Sequence, residues 1–127
     1  MRSLLVGLLL TAVGGAGMAG TAGGAPVSGT LITLTLISDV QVNDSLVWFD
    51  GLGALRHQSA VPLSAWDDHT RRWSASLTFT RDRDVAPPPL TAMFVSGGRF
   101  AKCIVTADEQ VITEDSDDGP EAIAVCD

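Results

Sequence analysis

Residues 72–80 read RWSASLTFT, a pattern that leaves the backbone little choice but an extended strand with one dry side. Trp73, Ala75, Leu77 and Phe79 fall on one face and Ser74, Ser76, Thr78 and Thr80 on the other, a period of two that a helix would scatter. The stretch TLITLTL repeats the pattern, with Ile32, Leu34 and Leu36 opposite Thr33 and Thr35; Leu31 and Ile37 make the ends of its polar face apolar. SLVWF and LRHQSAV flank Asp50-Gly51-Leu52-Gly53, whose glycines permit the positive φ of a hairpin turn, so the second and third strands are predicted to pair. LTAMFVSG reads as a buried strand ended by Gly97-Gly98. FAKCIVTA follows with Ala101, Cys103, Val105 and Ala107 on one face. Asp108-Glu109-Gln110 turns the chain, VITE returns, DSDDGP turns again, and EAIAVC closes the domain. Pro87 to Pro89 cannot donate to a ladder and mark a segment crossing between sheets. About seven short strands with turns at this spacing predict an all-β fold, an immunoglobulin-like antiparallel β-sandwich. A small closed barrel is the alternative.

The N-terminus sets the compartment. Arg2 precedes LLVGLLLTAV, roughly the length of a secretory apolar region, and small residues follow. Residues 1–25 are therefore expected to be a signal peptide, cleaved after Ala19 or Ala22. The alternative is an uncleaved membrane anchor, since Leu4 to Val27 is long enough to cross a bilayer, although its glycines weaken a spanning helix. Either way residues 26–127 face outward as one domain, in the cell envelope or outside the cell. The net charge is -7 with 15 acidic residues against 8 basic ones. An acidic surface excludes nucleic acid as a partner and disfavours anionic lipid. The chain has 2 cysteines, Cys103 and Cys126, which in an oxidising compartment have one possible pairing. A zinc site would need two further ligands, and no histidine lies near either cysteine.

Neither a catalytic residue nor a metal or cofactor site is assigned. His57 and His69 with Asp67 or Asp68 could hold a metal, but exposed histidines are the expected reading. Asp115 to Gly119, DSDDG, is one residue short of a calcium loop and lacks the closing glutamate. A solvated acidic turn is expected there. Asp82 and Asp84 alternate with Arg81 and Arg83, which lower carboxyl pKa values and suit salt bridges rather than general acid catalysis. There is no G-x-S-x-G, so a hydrolase relying on His57 and His69 is the third-ranked reading. Trp48 and Trp73 share a face with core residues and are expected to be core. Trp66 lies in SAWDDHTRR among acids and arginines, where a partner-binding aromatic would sit.

Several of these pieces occur together in one order: Trp73-Ser74, then Phe94-Val95-Ser96-Gly97-Gly98, then C-x-[IV]-x-[VA]-D-x-x-V-[IV]-x-E from Cys103 to Glu114, then Ser116 to Pro120 and Cys126. In this order the chain resembles the mycobacterial membrane protein small family, over Thr30 to Cys126 and most strongly from Trp73 onward. The resemblance implies an N-terminal segment at the membrane, a β-sandwich ectodomain and a non-enzymatic accessory role beside large resistance-nodulation-division transporters that export lipids or siderophores. Glu109 stands where the family has glycine, and an insertion holding Trp66 separates Pro62-Leu63 from Trp73. A secreted small binding or structural domain with no transporter partner is the alternative function.

Overall fold

The structure, a computed structural model, describes residues 29–88 and 91–127. The leader expected at residues 1–25, its expected cleavage sites and Pro89 lie outside the described residues. The described residues form nine strands: β1 (Gly29–Ser38), β2 (Val42–Phe49), β3 (Leu55–Pro62), β4 (Ala65–Asp67), β5 (Arg72–Asp82), β6 (Ala92–Val95), β7 (Phe100–Ala107), β8 (Gln110–Asp118) and β9 (Ile123–Cys126). They form two antiparallel sheets, one ordered β9-β6-β2-β3 and the other β4-β5-β1-β7-β8. Among the described residues no helix is long and apolar enough to cross a membrane.

The alternation read in the sequence is what joins the layers. Ile32, Leu34 and Leu36 of β1 point inward with Ala101, Cys103 and Val105 of β7. They meet Leu46 of β2, Phe94 of β6 and Ala124 of β9 from the other sheet, and all are buried. Trp48, Trp73, Ala75, Leu77 and Phe79 pack around this core and stay partly buried, as their strand faces predict. The opposite face of the five-stranded sheet is wet, and hydroxyl pairs lace it: Thr33 to Thr78 at 3.3 Å and Thr35 to Ser76 at 3.0 Å. The seven strands β1 to β6 and β9 have the neighbours of an immunoglobulin-like sandwich, and the β7–β8 hairpin occupies the place beside β1 that a first strand takes in that fold. The Cys103–Cys126 disulfide therefore joins β7 in one sheet to β9 in the other.

Four sequence expectations need correction. β4 falls within the segment read as a loop; its three residues pair with Arg72, Trp73 and Ser74. The run DSDD is strand rather than turn, because β8 continues to Asp118 and only Gly119 to Glu121 turn the chain. The run is paired in register with Phe100 to Cys103 of β7, and on its other side Asp115 Oδ2 accepts the Val125 N–H at 2.8 Å and Asp117 Oδ2 accepts the Ile123 N–H at 3.0 Å. Two carboxylates of one sheet edge thus satisfy donors on the edge of the other, a use of acids that also blunts both edges. Of the two glycines in the β2–β3 turn only Gly53 has a positive φ, 82°; Gly51 is needed because a Cβ there would overlap the Thr80 carbonyl. Lastly, Asp82 and Asp84 form no ion pair with Arg81 or Arg83 among the described residues. Arg81 and Asp82 are neighbours along β5 and point to opposite faces, while in the turn that follows Asp82 Oδ1 accepts the Asp84 N–H at 2.9 Å.

Two turns at one end yield predictions. Asp108 and Glu109 both have positive φ, 49° and 71°, the backbone of a two-residue type I′ hairpin. Asp108 is anchored: its Oδ1 accepts the Leu31 N–H at 3.0 Å and its own N–H donates to the Leu31 carbonyl at 2.8 Å. Glu109 pays the left-handed cost without such contacts, so Glu109→Gly is expected to stabilise the domain by about 0.5–1 kcal/mol in urea unfolding.

Asp50 organises the β2–β3 turn. Its Oδ1 accepts the N–H groups of Leu52 and Ala54, both at 2.9 Å, and Oδ2 accepts Arg56 Nε at 2.7 Å. Burial pushes the carboxyl pKa up, but the Ala54 N–H, the Arg56 guanidinium and the Leu52 N–H together hold it below its ordinary value. Because folding lowers this pKa, the stabilisation is complete above the ordinary carboxylate range and is lost as pH falls through the folded value. Asp50→Ala is expected to cost about 1–2 kcal/mol at pH 7, mostly through the two backbone bonds since Arg56 is largely exposed. The gap to wild type should narrow below about pH 4, read from unfolding curves across pH.

Candidate functional site

The loops divide between two ends. At the proximal end the chain enters at Gly29, beside the β2–β3 and β7–β8 turns. At the distal end lie the β1–β2, β4–β5, β6–β7 and β8–β9 connections. Trp66, the residue singled out from the sequence, is distal.

Trp66 sits in β4, directly opposite Trp73 of β5, and the two rings meet at 5.3 Å between centroids with planes at 54°. Its indole Nε1–H donates to Asp68 Oδ1 at 2.7 Å, which fixes the ring while leaving it 43% exposed. Asp67 shapes the next turn, accepting the His69 N–H at 2.8 Å on Oδ1 and the Arg71 N–H at 2.8 Å on its carbonyl. Arg71 then adopts a left-handed φ of 57°, uncommon for a residue with a side chain, and its guanidinium lies 5.9 Å from the Trp66 ring. The aromatic is thus presented on a strand, backed by a second tryptophan and flanked by a cation.

The same end carries a second aromatic–cation pair. The Arg72 guanidinium stacks 4.2 Å above the Phe100 ring on the outer face of the five-stranded sheet. A shallow depression of about 370 Å³ lies around this pair, lined also by Ile37, Asp67, Ser74 and Lys102. A neighbouring one of about 350 Å³ adds Asp39, Arg99 and Asp118. Four of the chain's 8 basic residues, Arg71, Arg72, Arg99 and Lys102, therefore gather here, on a protein of net charge -7. The field is mixed rather than simply positive. Asp39 is spent on backbone, accepting the Arg99 N–H at 3.0 Å and the Phe100 N–H at 3.1 Å, and Lys102 pairs with Glu114 at 3.7 Å.

Arg72, Arg99, Phe100 and Lys102 were not singled out from the sequence. Alternation does put Phe100 and Lys102 on the wet face of β7, which is the signal that could have found them. Their proximity to Arg72 depends on β5 and β7 both flanking β1. His57 lies in β3, paired with Val47, and His69 lies in the β4–β5 turn, so the two histidines belong to different sheets. His57 is not brought to Asp67 or Asp68. Compared with known proteins, the chain matches no family model and no curated sequence.

Proposed function

We propose that the chain is a non-enzymatic accessory protein of the cell envelope that engages a large integral membrane transporter through its distal end. The observation that carries the reading is Trp66: a half-exposed tryptophan clamped by Trp73, Asp68 and Arg71 on a sheet edge. Rigid aromatic anchors beside arginine are what protein interfaces concentrate their binding energy on. The transporter class rests on the sequence resemblance running from Trp73 to Cys126. The separation of His57 from His69 supports binding over histidine-based hydrolysis. The secreted alternative shares the fold and differs in what leaves the membrane.

In mild-detergent extracts of envelope membranes, the tagged chain is expected to retain a large polytopic protein of the resistance-nodulation-division class. Trp66→Ala should lose at least about tenfold of that retention, since interface tryptophans contribute roughly 2 kcal/mol or more. Its effect on stability should be below about 1 kcal/mol, because the ring is only half covered. Recovery of the chain alone from culture medium, with its N-terminus at Gly20 or Gly23 by mass, would instead establish the secreted reading.

A further inference from the structure

The proximal end collects large apolar side chains that the fold leaves uncovered. Leu31, Leu52, Leu55, Val111 and Ile112 are between 42% and 76% exposed. They come from separate elements, and contacts between those elements string them across one end. The β7–β8 turn is held against β1 by the two Asp108–Leu31 hydrogen bonds. Leu31 pairs with Thr80 of β5, and the Asp82 N–H donates to the Gly51 carbonyl at 2.9 Å, which brings up the β2–β3 turn with Leu52 and Leu55. An irregularity in the β7–β8 register at Val105/Thr106 breaks the alternation of β8, so that Val111 and Ile112 are both exposed. Single exposed leucines need no explanation, whereas five large apolar side chains exposed at one end of a small domain are candidates for an interaction surface.

We propose that this end rests on a bilayer surface of zwitterionic lipid, with these five side chains entering the headgroup region. The chain itself argues for that occupant. No charged residue occurs from Ser3 to Ser38, and the 28 residues ahead of Gly29 exceed the roughly 20 that a crossing helix needs. They join the domain at this end, beside Leu31. Asp50 is paired with Arg56 here and Arg81 and Arg83 are matched in number by Asp82 and Asp84, so Asp108, Glu109 and Asp127 leave the end acidic and disfavour anionic headgroups. Arg71, Arg72, Arg99, Lys102 and Trp66 lie at the opposite end, which this orientation points away from the membrane. The inference rests on the envelope reading above, with residues 1–25 retained as the uncleaved anchor, but not on the transporter.

The test uses the full-length chain in phosphatidylcholine vesicles, followed by amide hydrogen exchange. Wild type is compared with Leu52→Ser and with the triple variant Leu52→Ser, Leu55→Ser, Ile112→Ser. Residues 51–55 and 108–112 are expected to exchange at least about fivefold faster in the triple variant, and residues 64–74 equally in both. Leu52→Ser, in an exposed turn, should show part of the effect with the fold intact. Equal exchange at the proximal end in wild type and variants would overturn the proposal. So would protection there that grows with protein-to-lipid ratio, which would assign the end to a second copy. Loss of transporter retention with this protection intact would sink the proposed function alone.

Discussion

Replacing Phe94 by alanine is expected to cost about 4 kcal/mol, the largest effect of any single substitution argued for this domain. Phe94 is the largest of the fully buried side chains, and it pairs in register with Leu46 of β2 and Ala124 of β9. The core cluster holds the small residues Ala92, Ala101, Ala122 and Ala124 beside longer ones such as Leu46, so the space can be refilled only in part. A disulfide also ties the two sheets together, which limits how far they can close over a void. The cost therefore falls near the middle of the range for aromatic truncations, about 3–5 kcal/mol. For a domain of typical stability, about 5–15 kcal/mol, this is a large share. Urea unfolding should show a lower midpoint at an unchanged slope. A loss below about 1.5 kcal/mol would mean that the two layers do not meet at this residue.

The second large effect is expected from Cys103→Ala with Cys126→Ala. The bridged residues are 23 apart in sequence, and closing a loop of that size restricts the unfolded chain by about 3 kcal/mol on the chain-entropy model. Both cysteines are fully buried, so the alanines also remove core volume. A fall of roughly 10–20 °C in melting temperature follows for a domain of this size. The bridge does more here than shorten a loop. β9 reaches the four-stranded sheet only after the β7–β8 hairpin has crossed to the other layer, and the disulfide fastens that departure and return. Asp115 and Asp117 assist by binding the free N–H groups of β9. A double variant that melts within about 3 °C of wild type would contradict this role.

The strands with one wet and one dry face were legible in the sequence, and particular residues show why others were not. β1 and β5 carry their faces in strict alternation, so Ile32, Leu34, Leu77 and Phe79 could be placed before any partner was known. β4 could not, because Ala65-Trp66-Asp67 has no alternation and exists as strand only through its pairing with Arg72 to Ser74. The acidic run of β8 has turn-forming composition, and it becomes strand through its ladder with Phe100 to Cys103 of β7, its carboxylates turning to donors on β9. The site divides in the same way. Trp66 stood out as an aromatic among charges. The Arg72–Phe100 stack was hidden because it joins residues of β5 and β7 across the end of β1.

The central claim is an exported two-layer sandwich whose sheets are joined by one disulfide. Its most direct test is a peptide mass map of the protein purified from cells whose thiols are blocked at lysis, digested without reduction. One cross-linked pair of peptides containing Cys103 and Cys126, with neither cysteine carrying the blocking group, is the predicted result. Both cysteines recovered as blocked thiols would contradict it.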